Sequence, residues 1–316
     1  MTLDPNSAAM DNALSALNER FGREGAIRFE KRFGGDVAVL RCLGGTAVVA
    51  VQGAQVLSWI PSGGRDVLWL SPLAALGTGR AVRGGIPICW PWFGPASAAA
   101  GGAVPAQLKP THGFVRAAAW DVVESSANDR EVKLRLSFDA TGIDPALWPH
   151  QAMCEIEVIL DNELIVSLVS KNVGTSPFDL TQALHTYLAV ADVAEIVLGG
   201  LDHSTYIDKL QPGPINVQHG AIQVTGEIDR IYQGCPQTVQ VVDRGYARVI
   251  NVAKIGSNAT VIWNPWVERS ARLGDMGADG YRAMICVEAA NAGQDVVTLA
   301  PGARHQLVSR LSITAA

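Results

Sequence analysis

The sequence predicts an all-β fold of packed antiparallel sheets, preceded by one short N-terminal helix. Three observations lead there. From about residue 36 onward, short apolar runs with strand-like alternation are separated by turn residues. Strongly helical stretches between those runs are lacking, which argues against repeated βαβ units. A helical period is confined to residues 6–22.

Within that helix, Met10, Ala13, Leu14, Leu17 and Phe21 fall on one stripe, with Asn6 or Ser7 placed to cap it and Gly22 to stop it. The stripe is expected to dock on the core, although it could equally face a second subunit, so both monomer and homodimer are open. Strands are expected at 38–43, 47–51, 56–60 and 67–70, then at 120–124 and 132–138. Residues 155–160 and 164–170 flank an Asp161-Asn162 turn and read as a hairpin. Further strands follow at 179–188, 196–198, 223–226, 239–242, 249–252, 260–263, 284–287, 296–299 and 306–313. Two segments, 96–110 (rich in Ala, Gly and Pro) and 269–281 (polar, with several glycines), read as connecting loops or as the rim of a site. The expected organisation is a helical extension over 1–35 and one β-sandwich domain over 36–316, with no repeat and no linker.

At 48% hydrophobic and 17% charged, the chain can bury a sizeable core and is not a disordered sequence. Its net charge is −5 and it has no basic tract, so nucleic acid is not an expected partner. That balance does not forbid an anionic ligand, because two or three arginines can dominate one pocket. The five cysteines are scattered without a C-x-x-C pair, as suits reduced packing thiols. No basic segment followed by an apolar run opens the sequence, and no stretch approaches membrane-spanning length; a cytoplasmic protein without membrane contacts is expected. Metal spacing, a Walker loop, a G-x-G-x-x-G turn and a G-x-S-x-G elbow are all missing from the sequence. Metal, nucleotide and serine-hydrolase chemistry lose support accordingly, and no cofactor is expected.

Residues 83–94, Arg-Gly-Gly-Ile-Pro-Ile-Cys-Trp-Pro-Trp-Phe-Gly, are the most informative stretch. Pro87 and Pro91 exclude a regular helix, and the Gly84-Gly85 pair permits close backbone approach. Trp90, Trp92 and Phe93 can form an apolar wall of the kind that lines sugar sites, while Arg83 offers a forked cation to an anionic group such as phosphate. The same residues suit a structural loop that plugs the end of a sheet, and residue types alone do not separate the two.

Among six histidines, His185 stands out because it lies in the strand-like run Ala183–Leu188, where alternation puts it on one face with Tyr187. Glu288 ends the expected strand that begins at Met284, sharing a face with Cys286 and Met284. It is either a solvated edge carboxylate or a positioned base.

Six separated motifs occur in the order of one family: Val82-Arg83-Gly84-Gly85-Ile86-Pro87, Trp90-Pro91-Trp92-Phe93-Gly94, His112-Gly113-Phe114-Val115-Arg116, Leu184-His185-Thr186-Tyr187, Trp263-Asn264-Pro265-Trp266 and Cys286-Val287-Glu288. Together they resemble the hexose-6-phosphate mutarotases (glucose-6-phosphate 1-epimerases), a branch of the aldose 1-epimerase group, over residues of about 38 to 313. The resemblance implies a galactose-mutarotase-like β-supersandwich, His185 and Glu288 as the catalytic pair, and Arg83 and Arg116 as phosphate contacts. It implies a sugar-contacting Asp229, which precedes Ile231-Tyr232-Gln233. Some relatives carry Gln before the H-G motif where this chain has Thr111, whose hydroxyl is expected to offer one hydrogen bond instead. Trp90 or Trp92 is expected against the sugar ring, and His112 at the rim of the site or in a structural role.

These roles suit anomer interconversion, which removes the C1 hydroxyl proton while protonating the ring oxygen, rotates the opened aldehyde and closes it on the other face. Glu288 is expected as base and His185 as acid, with the roles exchanged in the reverse half-reaction. Two other readings remain: a carbohydrate-binding β-sandwich without turnover, and a mutarotase for free aldoses, against which Arg83 and Arg116 argue.

Overall fold

The computed structural model describes residues 5–77, 79–96, 105–211, 213–277 and 279–316; the side chains of residues 5–11 and 106 fall outside that description. The strands form a four-stranded, an eight-stranded and a nine-stranded sheet, with a two-stranded ribbon of Phe178–Leu180 and Val297–Leu299. The four-stranded sheet is a meander of Ile27–Arg32, Gly35–Cys42, Gly45–Ala50 and Val56–Pro61. The nine-stranded sheet is centred on Arg304–Ala315, between Arg248–Ile255 and the hairpin Ala152–Leu160/Leu164–Asn172. The eight-stranded sheet carries the site: Thr205–Asp208, Ile228–Gln233, Ala259–Asn264, Met284–Asn291, Gln182–Leu184 and Ile88–Cys89 run side by side, with Tyr187–Ala189 also on Met284–Asn291.

Alternation sorts the side chains of this sheet. Ile285, Val287, Ala289 and Ile262 enter the main core, which also takes in Val158, Leu168 and Leu307 of the nine-stranded sheet. Met284, Cys286, Val261 and Trp263 face the other way, into smaller clusters beneath the loops. Every residue of Met284–Asn291 is therefore buried, because both faces of the strand are covered.

The N-terminal helix, Pro5–Phe21, docks through part of its predicted stripe, with Ala13 left exposed. Leu14 and Leu17 pack against the core and Phe21 is buried in it. Asn18 clamps the helix to the first strand: its Oδ1 accepts from the Phe29 amide at 2.9 Å and its Nδ2 donates to the Phe29 carbonyl at 2.8 Å. The side chains of Asn6, Ser7 and Met10 lie outside the described residues.

Several elements differ from the sequence-based expectation for reasons of pairing. The run 179–188 is interrupted at Thr181 and again at His185-Thr186, where the His185 amide donates to the Pro87 carbonyl at 3.0 Å. The strand expected at 284–287 continues to Asn291, so Glu288 sits inside it and not at its end. Residues 67–70 make only isolated bridges, through Leu68 and Leu70. Ile27–Arg32, Thr205–Asp208 and Ile228–Gln233 are strands that local alternation did not reveal. A short helix, Trp266–Arg272, overlaps the segment expected to be irregular, and most of the other such segment, 97–104, lies outside the described residues.

Candidate active site

Antiparallel register assembles the floor of the site. Asp229 pairs with Trp263, Trp263 with Cys286, and Cys286 with Tyr187, while Val261 pairs with Glu288 one step along. Directly opposed residues share a face, so residues from four separate segments converge on one side of the sheet. His185 joins them by stacking on Tyr187, with ring centroids 4.8 Å apart at an interplanar angle of 13°.

The rim comes from loops held close to this face. Gly85 has φ +62°, and a Cβ there would lie 2.1 Å from the Val56 carbonyl oxygen, so only glycine lets the Arg83 loop lie on that strand. Gly113 has φ +73°, and its Cβ would lie 1.7 Å from the Trp90 carbonyl oxygen. That contact seats the turn carrying Thr111, His112 and Arg116. Asn264 secures the opposite rim: its Nδ2 donates to the Tyr281 and Met284 carbonyls, each at 2.8 Å, and its Oδ1 accepts from the Trp266 amide at 2.8 Å.

A cavity of about 260 Å³ lies between floor and rim. Arg83, Thr111, His112 and Arg116 line it from the loops; His185, Asp229 and Glu288 line it from the sheet. All of the charged and polar residues singled out in the sequence therefore meet here. Trp90 does not. It is fully buried in the core, packed on Phe114 and Trp148, with Nε1 donating to Ser170 Oγ at 2.9 Å. Trp92 follows it inward and donates to the Pro110 carbonyl. Of the expected aromatic wall only Phe93 lines the cavity, and Tyr187 and Trp263 complete it.

His185 Nε2 and Glu288 Oε1 are 3.3 Å apart, and the two side chains are 10% and 1% exposed. Both Glu288 oxygens and His185 Nδ1 are buried without a hydrogen-bond partner among the described residues. Burial pushes the Glu288 carboxyl well above its usual range; the Asp229 charge adds to this and Lys209 opposes it. Burial likewise pushes His185 well below its usual value, assisted by His112, Arg116 and Arg83. Both shifts favour the neutral form of their group, so carboxyl and imidazole act as one coupled unit more than as two independent groups.

The remaining groups divide by charge. Arg83 Nε donates to Asp275 Oδ1 at 2.6 Å and its Nη1 to the Tyr187 hydroxyl at 3.2 Å. Arg116 Nη2 donates to the Thr111 backbone carbonyl at 2.7 Å, a contact independent of which side chain stands at 111. Asp229 Oδ2 lies 3.4 Å from Lys209 Nζ and 3.6 Å from Arg269 Nη1; burial still raises the carboxyl, with both cations offsetting part of that cost. His112 Nδ1 accepts from the Gly94 amide at 3.1 Å, which leaves the neutral ring's proton on Nε2. Burial, followed by Arg116, Lys209 and Arg83, lowers its pKa to about 3.

His185, Cys286 and Glu288 also bring ligand atoms within 4.8 Å of one another, a donor set that would suit zinc. Burial raises the Cys286 thiol well above its usual value, which disfavours the thiolate a metal requires.

Sequence reasoning assigned no role to Tyr187, Trp263, Lys209 or Arg269. Trp263 lies within a quoted motif and Tyr187 shares the alternation of His185, so both carried a signal. Lys209 and Arg269 carried none. Lys209 reaches the cavity because it directly follows the strand Thr205–Asp208, and its amide donates to the Asp229 carbonyl at 2.9 Å.

The aldose 1-epimerase family profile matches residues 38–312. A protein of Escherichia coli (strain K12), provisionally named glucose-6-phosphate 1-epimerase, is 35% identical over 250 residues, covering 78% of this chain and 80% of its own length. A protein of Cenchrus ciliaris with the same provisional name is 32% identical over 266 residues, 81% of this chain and 78% of that one. The crystal structure of a provisionally named mutarotase from Salmonella typhimurium matches at a TM-score of 0.84 and 29% identity, covering 97% of this chain and 100% of that one.

Proposed function

Because the chain belongs to the aldose 1-epimerase family, whose members interconvert sugar anomers, we propose that this isomerase acts on a hexose 6-phosphate through the His185–Glu288 pair. The observation that carries the reading is the convergence of Arg83 and Arg116 with that pair in one cavity. Two forked cations suit a dianionic group, and the acid–base pair suits the hemiacetal at the other end of the sugar.

Glu288 takes the proton of the C1 hydroxyl while His185 delivers one to the ring oxygen, an oxygen on the same carbon. Side-chain atoms 3.3 Å apart can address two such neighbours. The active arrangement is the carboxylate–imidazolium form, reached when the shared proton moves from Glu288 to His185. Ring opening, rotation about C1–C2 and closure then return both protons, so no net charge is left in a buried site and no cofactor is needed. Asp229, held by Lys209 and Arg269, accepts hydrogen bonds from sugar hydroxyls, and His112 Nε2–H donates one. Trp263 and Phe93 cover the apolar surface of the ring. Five free thiols suit a reducing cytoplasm.

Exchange between the anomers of glucose 6-phosphate and of glucose, measured by NMR with Glu288→Gln as control, tests the proposal. Accelerated exchange that prefers the phosphorylated sugar is expected. Saturable binding without acceleration would instead support a binding module, and equal acceleration of both sugars a free-aldose mutarotase.

A further inference from the structure

We propose that Asp275 is a positioning residue for phosphate recognition, one that holds Arg83 with the terminal edge of its guanidinium turned into the cavity. The proposal rests on the reading of Arg83 as a phosphate contact. Asp275 lies outside the lining of the cavity, in the segment that follows the helix Trp266–Arg272.

Three contacts close a ring around this pair. Arg83 Nε donates to Asp275 Oδ1 at 2.6 Å. The Ser71 amide donates to the Arg83 carbonyl at 3.1 Å, and the Ser71 hydroxyl donates to the Asp275 carbonyl at 2.6 Å. Ser71 is itself buried, and its Oγ accepts from the Leu73 amide at 3.0 Å. One serine thus fixes the backbones of both partners in the ion pair. The next residue, Met276, is fully buried in the cluster with Trp69, Tyr187 and Trp263, so the segment is anchored at the wall of the site.

The consequence for Arg83 is geometric. Its Nε–H is committed to Asp275 and one Nη1–H to the Tyr187 hydroxyl 3.2 Å away. Three donors remain, one on Nη1 and two on Nη2, and with Nε–H occupied the Nη1–Nη2 edge is the one left to engage two phosphate oxygens at once. The Asp275 side chain is 50% exposed, and ion pairs that open to water contribute little to folding. A contact of 2.6 Å with a buried backbone clamp is better explained by orientation of the arginine than by stability.

Steady-state kinetics on glucose 6-phosphate and on glucose, for Asp275→Ala, Asp275→Asn and Arg83→Ala, test this. Asp275→Ala should raise KM for glucose 6-phosphate about tenfold with kcat nearly constant, and lower the phosphorylated-to-free selectivity by a similar factor. Asp275→Asn retains an oxygen acceptor for Nε–H and should keep the wild-type KM. If Arg83→Ala raises KM while Asp275→Ala does not, the positioning role is wrong. It is also wrong if the asparagine variant behaves like the alanine variant, or if kcat falls equally on both sugars. Should neither Arg83→Ala nor Asp275→Ala alter selectivity, the phosphate reading itself fails. Thermal unfolding of each variant confirms that the comparison is between folded proteins.

Discussion

His185 Nε2 lies 3.3 Å from Glu288 Oε1, and that carboxylate finds no hydrogen-bond donor among the described residues. A buried carboxyl group without partners is costly to folding, at about 1–3 kcal/mol for an unpaired polar group. Its place beside an imidazole and beneath a cavity is the arrangement on which the proposed proton transfer rests. Burial, then His112, Arg116 and Arg83, disfavour an imidazolium at His185.

The pH profile of activity should reflect that pair. The form carrying a single proton extends from the lowered His185 value to the raised Glu288 value, so it spans the region where each group ordinarily titrates. We expect kcat/KM on free glucose to stay flat as pH falls through 6.5, the ordinary histidine value. Activity should decline on the alkaline side as the last proton leaves Glu288. Free glucose is the diagnostic substrate, because the second ionisation of a phosphate near about 6 would add its own limb. An acidic limb centred on the ordinary histidine value would contradict this assignment.

Glu288→Gln should separate activity from stability. Loss of the base is expected to lower kcat at least about 100-fold. Above pH 4.5 the unfolded chain ionises this carboxyl while the native protein retains its proton, so wild-type stability falls as pH rises through the window that starts there. Glutamine carries no such penalty. Urea unfolding should therefore find the variant gaining on wild type between pH 4 and about pH 7; a constant difference across that range would argue against a buried protonated carboxyl.

His112 makes the opposite contribution. Its pKa falls from 6.5 to about 3 in the folded protein, so the unfolded chain binds the extra proton first. The stability it confers is complete above pH 6.5 and is lost as pH falls toward 3, amounting to a loss on the order of 3 kcal/mol by about pH 4. In NMR, the ring resonances missing from a His112→Gln variant should not move in wild type between pH 8 and about pH 5. Titration with a midpoint near 6.5 would mean that the ring is neither buried nor crowded by Arg116.

Arg83→Ala and Arg116→Ala should weaken use of glucose 6-phosphate far more than use of glucose. Charge-assisted hydrogen bonds are worth about 1.5–3 kcal/mol each, so the double variant should lose two or more orders of magnitude in kcat/KM on the phosphorylated sugar. Polarimetry on both sugars measures the ratio. Equal losses on the two would move these arginines from recognition to structure.

Much of this was legible without coordinates, and the exceptions have a common cause. Periodicity placed His185 and Tyr187 on one face, and their rings do stack. The order of six motifs identified the family and nearly its full extent, residues 38–312. Local pattern failed at Trp90, whose composition suits a sugar wall yet whose indole is committed to Ser170 in the core. It failed also at Glu288, because the strand continues to Asn291 and both of its faces are covered.

Residue type and spacing predicted the all-β class and the docked helical stripe, since these depend on interactions along the chain, and the resemblance carried by six motifs pointed to most of the groups that line the cavity. Tertiary structure decided which aromatics face the cavity, that Lys209 and Arg269 flank Asp229, and that Asp275 and Ser71 clamp Arg83. The physical reason is separation: strand register and loop closure join residues far apart in sequence, and burial, which sets the proton affinities of His185 and Glu288, exists only once the sheets have packed.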